Sequence, residues 1–382
     1  MTAVRVLLSA RDPGGAAMAQ AATSALRAAG DFEVTVAASG PAYDTLAAAG
    51  ERPLRFELPD GSAHVAVGAN PDGLLEGAAA LLAQVDPDVL VVTISSLGVG
   101  LDEALLARPG GRATFALQDY PGDANAIHGA HAGIYFVRDE AAADLTRRRW
   151  GVVAIPVGSL RHAPYAKLDV PGLRSDTRAR IGAAAGQAVL GFFAQPADVP
   201  GHEGALADLA AALGRLPVKP LVLLRGHPKH PQAAAAHAAA LRATGAAVHD
   251  ATADGAAERW LAACDVVTTC FSHCSMDYAF LDAWSPEPLG SVLFLLTRDE
   301  TRRFLANHAG VPRPDGVEAG LGRVAERAED LPTLIARALG PDERRAFHAA
   351  SRRLPRHARF DVIVDAVRGA AHGRTRPARR AP

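Results

Sequence analysis

The chain has 382 residues, of which 49% are hydrophobic and 21% charged, and its 40 Lys and Arg nearly balance its 41 Asp and Glu. This composition is ordinary for a globular protein and excludes a disordered or collagen-like chain. The net charge of -1 argues against nucleic acid as a partner, because phosphate binding needs clustered Lys and Arg. The length predicts two domains. No apolar run approaches the roughly 18 residues of a spanning helix, so no integral membrane segment is expected.

The cysteines and the N-terminus favour a cytoplasmic location. All three cysteines fall within the eleven residues from Cys264 to Cys274. An odd, clustered set does not form the disulfide framework of a secreted domain, which predicts a reducing compartment. The N-terminal stretch MTAVRVLLSARDPGG has one short apolar run broken by charge, rather than the long apolar core of a signal peptide.

In the first half of the chain, short β-branched runs alternate with longer Ala- and Leu-rich stretches, which is typical of βαβ units and a parallel sheet. The predicted strands are Val4–Ser9, Glu33–Ala38, Leu54–Glu57, Val89–Ile94, Thr114–Gln118, Ile134–Val137 and Val152–Val157. The predicted helices include Ala16–Ala29, Asp72–Gln84 and Glu140–Arg148. Apolar residues recur along the second of these helices with a period near 3.6, so we expect it to lie on the sheet.

The pattern weakens where Pro164 and Pro171 occur among mixed charges, and we place a linker at 161–187. A second series then begins, with strands predicted at Val189–Ala194, Pro220–Arg225, Ala247–Asp250, Val266–Thr269 and Ser291–Leu296. Helices are predicted between these strands, and the chain ends with helical stretches at Leu331–Leu339, Asp342–Arg353 and Phe360–Gly369.

These elements predict an α/β protein with two Rossmann-like, doubly wound domains and a ligand cleft between them at the carboxyl ends of the strands. The N-terminal domain is expected at 1–160 and the C-terminal domain at 188–355. A helix at 356–370 should cross back to the N-terminal domain. The remaining residues, 371–382, are expected to be a disordered basic tail.

The first candidate site lies between the first strand and the Ala-rich helix. Gly14 and Gly15 would let a ligand approach the backbone, and N–H groups at a helix N-terminus favour a phosphate or another anion. The G-x-G-x-x-G spacing of a dinucleotide site is absent. Asp12 is a candidate catalytic carboxylate here. The alternative is a plain strand-to-helix turn that Asp12 solvates.

The second candidate site follows Thr114–Gln118, at a strand end where open α/β sheets bind ligands. Asp119 is positioned to act as a general base toward a substrate hydroxyl, and Asp123 belongs to the same acceptor loop. His128 and His131 follow, but an i, i+3 pair without a clear third ligand is weak evidence for a metal. The alternative is a polar loop at the sheet edge.

The third candidate site follows the strand Pro220–Arg225. Arg225, His227 and Lys229 could neutralise a diphosphate, and His227 could protonate a leaving phosphate. Pro228 can open the next helix, which would hold His227 beside its N–H groups. The alternative is a helix-capping histidine.

The fourth candidate site follows the strand Val266–Thr269. Hydroxyls of Thr269, Ser272 and Ser275, together with His273 and the N–H groups of a helix start, predict a phosphate cradle that needs no net charge. The neighbouring cysteines suggest zinc as an alternative, but no matching second ligand pair exists elsewhere in the chain. A nucleophilic cysteine paired with His273 is a further alternative.

The third and fourth sites together resemble the glycosyltransferases of the two-Rossmann-domain (GT-B) type. The likeness is to the bacterial sialyl-, Kdo- and polyglycerol-phosphate transferases, which use CMP- or CDP-linked donors. Their nucleotide domain carries a His-Pro motif and a later Ser-rich motif, to which His227-Pro228 and Ser272 to Ser275 are similar. The resemblance implies that His227 contacts the donor phosphate and that Ser272, His273 or Ser275 holds phosphate or the cytidine ribose. The second motif departs from the usual adjacent Ser-Ser, reading Ser-His-Cys-Ser.

A further stretch, 135–160, resembles the end of the first domain in this fold, including that of UDP-N-acetylglucosamine 2-epimerases. In those proteins a strand, a helix and a Val-Gly-Ser turn lead to the second domain.

The resemblance implies a metal-independent GT-B glycosyltransferase. It would move a sugar or polyol-phosphate unit from a nucleotide donor, expected to be cytidine-linked, to a hydroxyl of a small-molecule, glycan or lipid-linked acceptor. No cofactor and no metal are expected, because helix dipoles and cations can neutralise a diphosphate. One alternative is a UDP-sugar 2-epimerase-like or UDP-sugar-dependent enzyme of the same fold. The other is a non-catalytic nucleotide-sugar-binding protein.

Overall fold

The protein consists of two compact units in a computed structural model that describes residues 3–58, 60–94, 98–228, 230–253 and 255–372. The first unit comprises the described residues up to Ala163 together with those from His357 onward. The second unit comprises Pro164–Arg356. Each unit has its own parallel sheet with helices on both faces.

The first unit alternates strands and helices. Its elements are β1 (Val4–Ala10), α1 (Pro13–Ala28), β2 (Phe32–Ala38), α2 (Gly40–Ala48), β3 (Leu54–Arg55), β4 (His64–Val65), α3 (Asp72–Val85), β5 (Val89–Ile94), β6 (Val99–Gly100), α4 (Leu101–Ala107), β7 (Ala113–Gln118), β8 (Ile134–Val137), α5 (Glu140–Trp150) and β9 (Val153–Pro156). The seven-stranded sheet has the order β3-β2-β1-β5-β7-β8-β9, and all neighbours are parallel. Strands β4 and β6 form a separate antiparallel pair.

The second unit repeats this plan with shorter outer strands. Its elements are α6 (Val170–Arg180), β10 (Val189–Phe193), α7 (His202–Arg215), β11 (Leu221–Arg225), α8 (Ala234–Arg242), β12 (Val248–Asp250), α9 (Ala257–Ala263), β13 (Val266–Thr269), α10 (Cys274–Trp284), β14 (Ser291–Leu295), α11 (Asp299–Ala309), β15 (Arg323–Ala325), α12 (Leu331–Ala338) and α13 (Pro341–Ser351). Its six parallel strands have the order β12-β11-β10-β13-β14-β15.

The central strands are apolar on both faces because helices cover both faces. Leu7 and Leu90 pack in the core on one side of the first sheet, whereas Leu8 and Val91 pack on the other side. Successive side chains of a strand point to opposite faces, so each buried strand supplies two cores. This explains why these strands appear in the sequence as continuous apolar runs.

The strand order creates one switch point in each sheet. The chain winds outward in opposite directions from β1 and β5 in the first unit, and from β10 and β13 in the second. Loops at the carboxyl ends of such strand pairs diverge and leave a crevice, which is where ligands bind in open α/β sheets. The predicted α/β architecture with two Rossmann-like domains is therefore confirmed.

The last helix returns to the first unit. Helix α14 (Phe360–His372) packs Ile363 and Val367 into the core beside α1. Arg368 Nε donates to Asp31 Oδ2 at 2.6 Å, and the side chain lies over the ring of Phe32. The tail predicted to be disordered lies outside the described residues from residue 373 onward.

The segment expected to be a linker, 161–187, contains an ordered helix. Asp169 caps α6 by accepting from the N–H of Gly172 at 3.1 Å, and Pro171 occupies its first turn. Val170 and Ile181 pack in the core of the second unit. Pro171 is thus part of a helix start, because proline is tolerated where the N–H has no partner in the helix. Pro164 lies in a short 3-10 helix, Ala163–Lys167.

Candidate active site

The first-unit site lies at the switch point between β1 and β5. Strand β1 ends at Ala10, so Arg11 and Asp12 follow at the carboxyl edge of the sheet. Strand β7, the neighbour of β5, ends at Gln118 and places Asp119 at the same edge. The structure therefore brings the first and second predicted sites together.

Asp12 caps helix α1. Its Oδ1 accepts from the N–H of Gly15 at 3.0 Å, so this N–H serves the helix cap rather than a ligand. At position 14 an added Cβ would lie 2.3 Å from Asp119 Oδ2 and 2.8 Å from Arg161 Nη1. Glycine is required there because those side chains approach the backbone of α1 so closely. The predicted binding of an anion by Gly14 and Gly15 stays a prediction.

Asp119 is held by an arginine that the sequence analysis did not select. Arg161 Nη1 donates to Asp119 Oδ2 at 2.8 Å, and the carboxylate is nearly buried. The ion pair fixes the position of the Asp119 carboxylate. Its predicted role as a general base stays a prediction.

Asp123 has the properties of a proton-transfer group. Burial raises the pKa of Asp123 to about 7, with Arg11 and Arg149 opposing the shift and the carboxylates of Asp12 and Asp119 adding to it. Asp123 is only half-buried, so solvent can still reach its side chain. A carboxyl group that is near half-protonation at neutral pH can both accept and donate a proton.

The loop that carries Asp123 is fixed by Gln118. The Nε2 of Gln118 donates to the Asp123 carbonyl at 2.7 Å, and its Oε1 accepts from the Thr146 hydroxyl at 3.0 Å. Gln118 is the last residue of β7 and Thr146 belongs to α5, so the loop is tied to two regular elements. This arrangement positions Asp123 independently of any ligand.

Three buried charged residues behind this loop were missed by sequence reasoning. Arg11 Nη2 lies 3.4 Å from Glu103 Oε1, and both side chains are almost fully buried. Asp102 Oδ1 accepts from the Ser9 hydroxyl at 2.6 Å and from the Thr93 N–H at 3.2 Å. Burial raises the pKa of Asp102 to about 7, assisted by the neighbouring Glu103. In the sequence, Asp102 and Glu103 look like ordinary solvent-exposed acids in a helix first turn, and no local signal marks their burial.

The second-unit site lies at the switch point between β10 and β13 and depends on Gln195, another residue that sequence reasoning missed. Gln195 follows β10 and is 5% exposed. With its amide oriented to satisfy the surrounding donors, its oxygen accepts from the N–H groups of Ser272 at 2.7 Å and Phe271 at 2.9 Å, and from the Thr269 hydroxyl at 3.2 Å. The loop after β10 is thereby bound to the start of α10.

The predicted Ser-rich cradle is partly occupied by its own turn. The Ser275 hydroxyl donates to the Ser272 carbonyl at 2.9 Å, and Ser272 Oγ accepts from the Cys274 N–H at 3.3 Å. His273 is the residue just before α10. These hydrogen bonds shape the helix start, and the predicted contacts of Ser272, His273 and Ser275 with a donor stay predictions.

The loop after β11 joins the same edge of the sheet. His227 is half-buried there, and its carbonyl accepts from the His230 N–H at 2.9 Å. The ring of His230 in turn accepts from the Ala197 N–H at its Nδ1, at 3.1 Å. The loop after β10 is therefore hydrogen-bonded on one side to the β11 loop and on the other to the β13 loop.

The Arg225 side chain is hydrogen-bonded to a neighbouring loop. Arg225 donates to the carbonyls of Ala251 at 3.1 Å and Gly255 at 2.6 Å, so it braces the loop after β12. That use of the guanidinium was not predicted. Lys229 lies outside the described residues.

Burial disfavours Cys270 as the nucleophile of the cysteine alternative. Cys270 is 1% exposed, and burial raises the pKa of its thiol to about 12. A thiol with such a pKa is not ionised at neutral pH and is a poor nucleophile. A catalytic Cys270–His273 pair therefore has no support from the electrostatics of this site.

The structure is similar to several solved structures over nearly its whole length. The structure is similar to UDP-GlcNAc 2-epimerase from Neisseria meningitidis bound to UDP-GlcNAc, with a TM-score of 0.72 and 11% identity over 96% of this chain and 100% of that chain. It is also similar to MnaA from S. aureus in complex with UDP (TM-score 0.69, 12% identity, 98% of both chains). A third similar structure is MurG from Acinetobacter baumannii (TM-score 0.58, 13% identity, 96% of this chain and 99% of that chain).

The chain has the GT-B fold. The resemblance to GT-B proteins is thus confirmed, whereas the specific likeness to cytidine-donor transferases is not supported by these structures. No protein-family model matches the chain, and no curated protein matches it. Within the described residues, no helix is both long and apolar enough to cross a membrane.

Proposed function

We propose that this protein is an enzyme that acts on a UDP-linked sugar, with epimerisation of the sugar as its reaction. The observation that carries the proposal is Asp123, a solvent-reachable carboxyl group with a pKa of about 7 at the switch point of the first sheet. The UDP and UDP-GlcNAc complexes of proteins with the same fold support the choice of donor over a cytidine-linked one.

Epimerisation requires the kind of group that Asp123 provides. Inverting a stereocentre breaks a C–H bond on one face of the sugar and forms a new one on the other face. A base with a pKa near the working pH removes such a proton most efficiently, and the same type of group returns it. Asp123 would remove the proton from the carbon next to the anomeric carbon, and the electron pair of that C–H bond would form a double bond as the bond to UDP breaks. Re-addition of UDP, with a proton from solvent on the opposite face, would complete the inversion. The nearby Arg11 and Arg161 guanidinium groups would stabilise negative charge that develops on the substrate.

The second unit would bind the nucleotide. The three hydrogen-bonded loops after β10, β11 and β13 form its switch-point edge, with His227 and the start of α10 among them. A partly buried histidine and helix N–H groups are suitable partners for a diphosphate. No metal is required by this arrangement.

Transfer of the sugar to an acceptor hydroxyl is the second candidate. Asp123 is equally able to deprotonate a hydroxyl, so the geometry of the first unit suits either reaction. The distinguishing experiment incubates the protein with UDP-GlcNAc in D₂O without any acceptor and follows the sugar by NMR. An epimerised sugar with deuterium at the inverted carbon supports the proposal. If the donor stays unchanged without an acceptor and is consumed only after acceptors are added, the reaction is transfer rather than epimerisation.

The protein should bind UDP in preference to CMP and CDP, because UDP is the nucleotide of the proposed donor. UDP should raise the melting temperature of the protein, because a ligand at a hundredfold excess over its Kd stabilises the native state by about 2.7 kcal/mol. CMP and CDP should produce little shift. His227→Ala should lose most of the UDP shift while keeping the melting temperature of the unliganded protein. Arg242→Ala, which removes an exposed cation at the far end of α8, is the matched control and should keep it.

The opposite pattern in this assay would be decisive. A shift produced by CMP or CDP and not by UDP would restore the cytidine donor implied by the motif resemblance. A UDP shift without turnover of any UDP-sugar, with or without acceptors, would indicate the non-catalytic binding protein.

A further inference from the structure

A cluster of two histidines and one glutamate lies in the second unit, on residues that have no assigned role in the proposed UDP-sugar chemistry. His202 and Glu203 are the first two residues of helix α7, and His237 is the fourth residue of α8. The potential ligand atoms of the three side chains all lie within 4.8 Å of one another. Glu203 Oε1 is 2.8 Å from His237 Nε2 and 3.9 Å from His202 Nε2.

The two imidazoles are buried without the partners that buried polar groups normally have. His202 is 1% exposed and His237 is 3% exposed. Both ring nitrogens of His202 lack a hydrogen bond to any described residue. The Nδ1 of His237 also lacks one. Most buried polar side-chain atoms in proteins are hydrogen-bonded, so the His202 ring, with neither nitrogen bonded, calls for a ligand.

Packing holds the rings in place. The Phe192 ring stacks on His202 with centroids 6.0 Å apart and planes 2° apart, and it meets His237 edge-on at 6.3 Å. The two imidazoles cross nearly at right angles with centroids 5.4 Å apart. Phe192 belongs to β10, so the sheet itself orients both rings before any ligand binds.

One side of the cluster is accessible from solvent. Glu203 is largely exposed, so the remaining side of the cluster opens to solvent and gives an ion a way in.

We propose that His202, Glu203 and His237 bind one divalent transition-metal ion of the zinc class. Two imidazole nitrogens and one carboxylate oxygen are a ligand set that Zn²⁺ takes in proteins, with a water in the fourth position. Bonds of about 2.0–2.2 Å around a tetrahedral ion place ligand atoms about 3.4 Å apart, which small side-chain movements here can reach. The ion would join α7 to α8 across the face of β10.

The test uses the untagged full chain, freed of metal with a chelator and titrated with Zn²⁺ against a chromophoric competitor. Wild-type protein should bind one equivalent. Because loss of a residue that merely supports a ligand weakens metal binding about 10–100-fold, removal of a ligand itself in Glu203→Gln or His237→Gln should weaken it at least as much. Glu203 is exposed, so Glu203→Gln should not disturb folding, and circular dichroism checks both variants. Co²⁺ should give the visible absorption of a tetrahedral site in wild type only.

His249→Gln is the control, since it removes an imidazole that packs against Trp260 in the same unit, with ring planes tilted by 31°. It should bind Zn²⁺ as wild type does. Absence of a bound equivalent in wild-type protein would overturn the proposal. So would unchanged affinity in either Glu203→Gln or His237→Gln, because the three-ligand site requires both residues. None of these outcomes depends on the UDP-sugar assays.

Discussion

Asp123→Asn should lower the turnover of UDP-sugar by about 10²–10⁴-fold, the usual contribution of a positioned general base. Asparagine keeps the size of the side chain but cannot accept the proton. The substitution leaves the backbone carbonyl of residue 123, which accepts the hydrogen bond from Gln118, unchanged. The loop should therefore stay in place and UDP should bind as before. The measurement is kcat in the acceptor-free assay, with the UDP-induced melting shift as the check on folding.

The pH profile gives an independent test of the same residue. A base with a pKa of about 7 is charged and active above that pH and protonated below it, so kcat/KM of wild type should fall as the pH drops below about 7. Asp144→Asn, an exposed carboxylate on α5 in the same unit, is the control and should retain both the rate and the acid limb. A fully active Asp123→Asn enzyme with the same acid limb would falsify the assignment.

Asp265→Ala should produce the largest loss of stability, lowering the free energy of unfolding of the second unit by about 3–5 kcal/mol. Asp265 lies at the amino end of β13 and is 3% exposed. Its carboxylate receives hydrogen bonds or ion pairs from Arg174 (2.6 Å), Arg178 (3.1 Å), Arg344 (2.9 Å) and the Val189 N–H (2.7 Å). Removing it leaves three guanidinium groups around a neutral site, so the cost exceeds that of one lost contact.

The stability change is measured by urea unfolding followed by tryptophan fluorescence, since Trp260 and Trp284 both lie in the second unit. Asp342→Ala removes a fully exposed partner of Arg345 and should leave the unfolding free energy nearly unchanged. Equal effects of the two substitutions would show that the buried cluster has no special role.

The same cluster predicts a loss of stability in acid. Burial opposes ionisation of Asp265, but the arginines outweigh it and hold the pKa of this carboxyl below its ordinary value. A depressed pKa stabilises the folded state above the pKa of the unfolded chain, and that contribution is lost as the pH falls through the folded pKa. Wild type should therefore lose stability on acidification more steeply than Asp265→Asn, in which this carboxyl is absent.

The sequence alone determined the class of fold and the positions of the strand ends. Strands such as β1, β5, β10 and β13 are buried on both faces, so they must be short, continuous apolar runs, and such runs are visible without any tertiary information. Residues that directly follow a strand are placed at its carboxyl end by chain connectivity. This is why Asp12, Asp119 and His227 were found at the sheet edges where the structure has them.

The sequence motifs did not identify the nucleobase of the donor. His227-Pro228 and the segment Ser272 to Ser275 are short, and a turn of this kind recurs wherever a strand leads into a helix of an α/β sheet. The same hydroxyls can cap a helix or hold a phosphate, and the structure shows Ser275 bonded to its own turn. A few residues of local sequence therefore support the GT-B fold but do not distinguish cytidine from uridine.

Only the tertiary structure decided which charged residues are buried and what surrounds them. Asp102 and Glu103 become interior because α4 packs against β5 and β1, and Gln195 becomes a bridge because β10 lies beside β13. His202 and His237 are 35 positions apart and meet only because β10 and β11 are neighbours. A pKa depends on the charges and the solvent within a few ångströms of a group, and those distances are set by strand order, which local sequence does not contain.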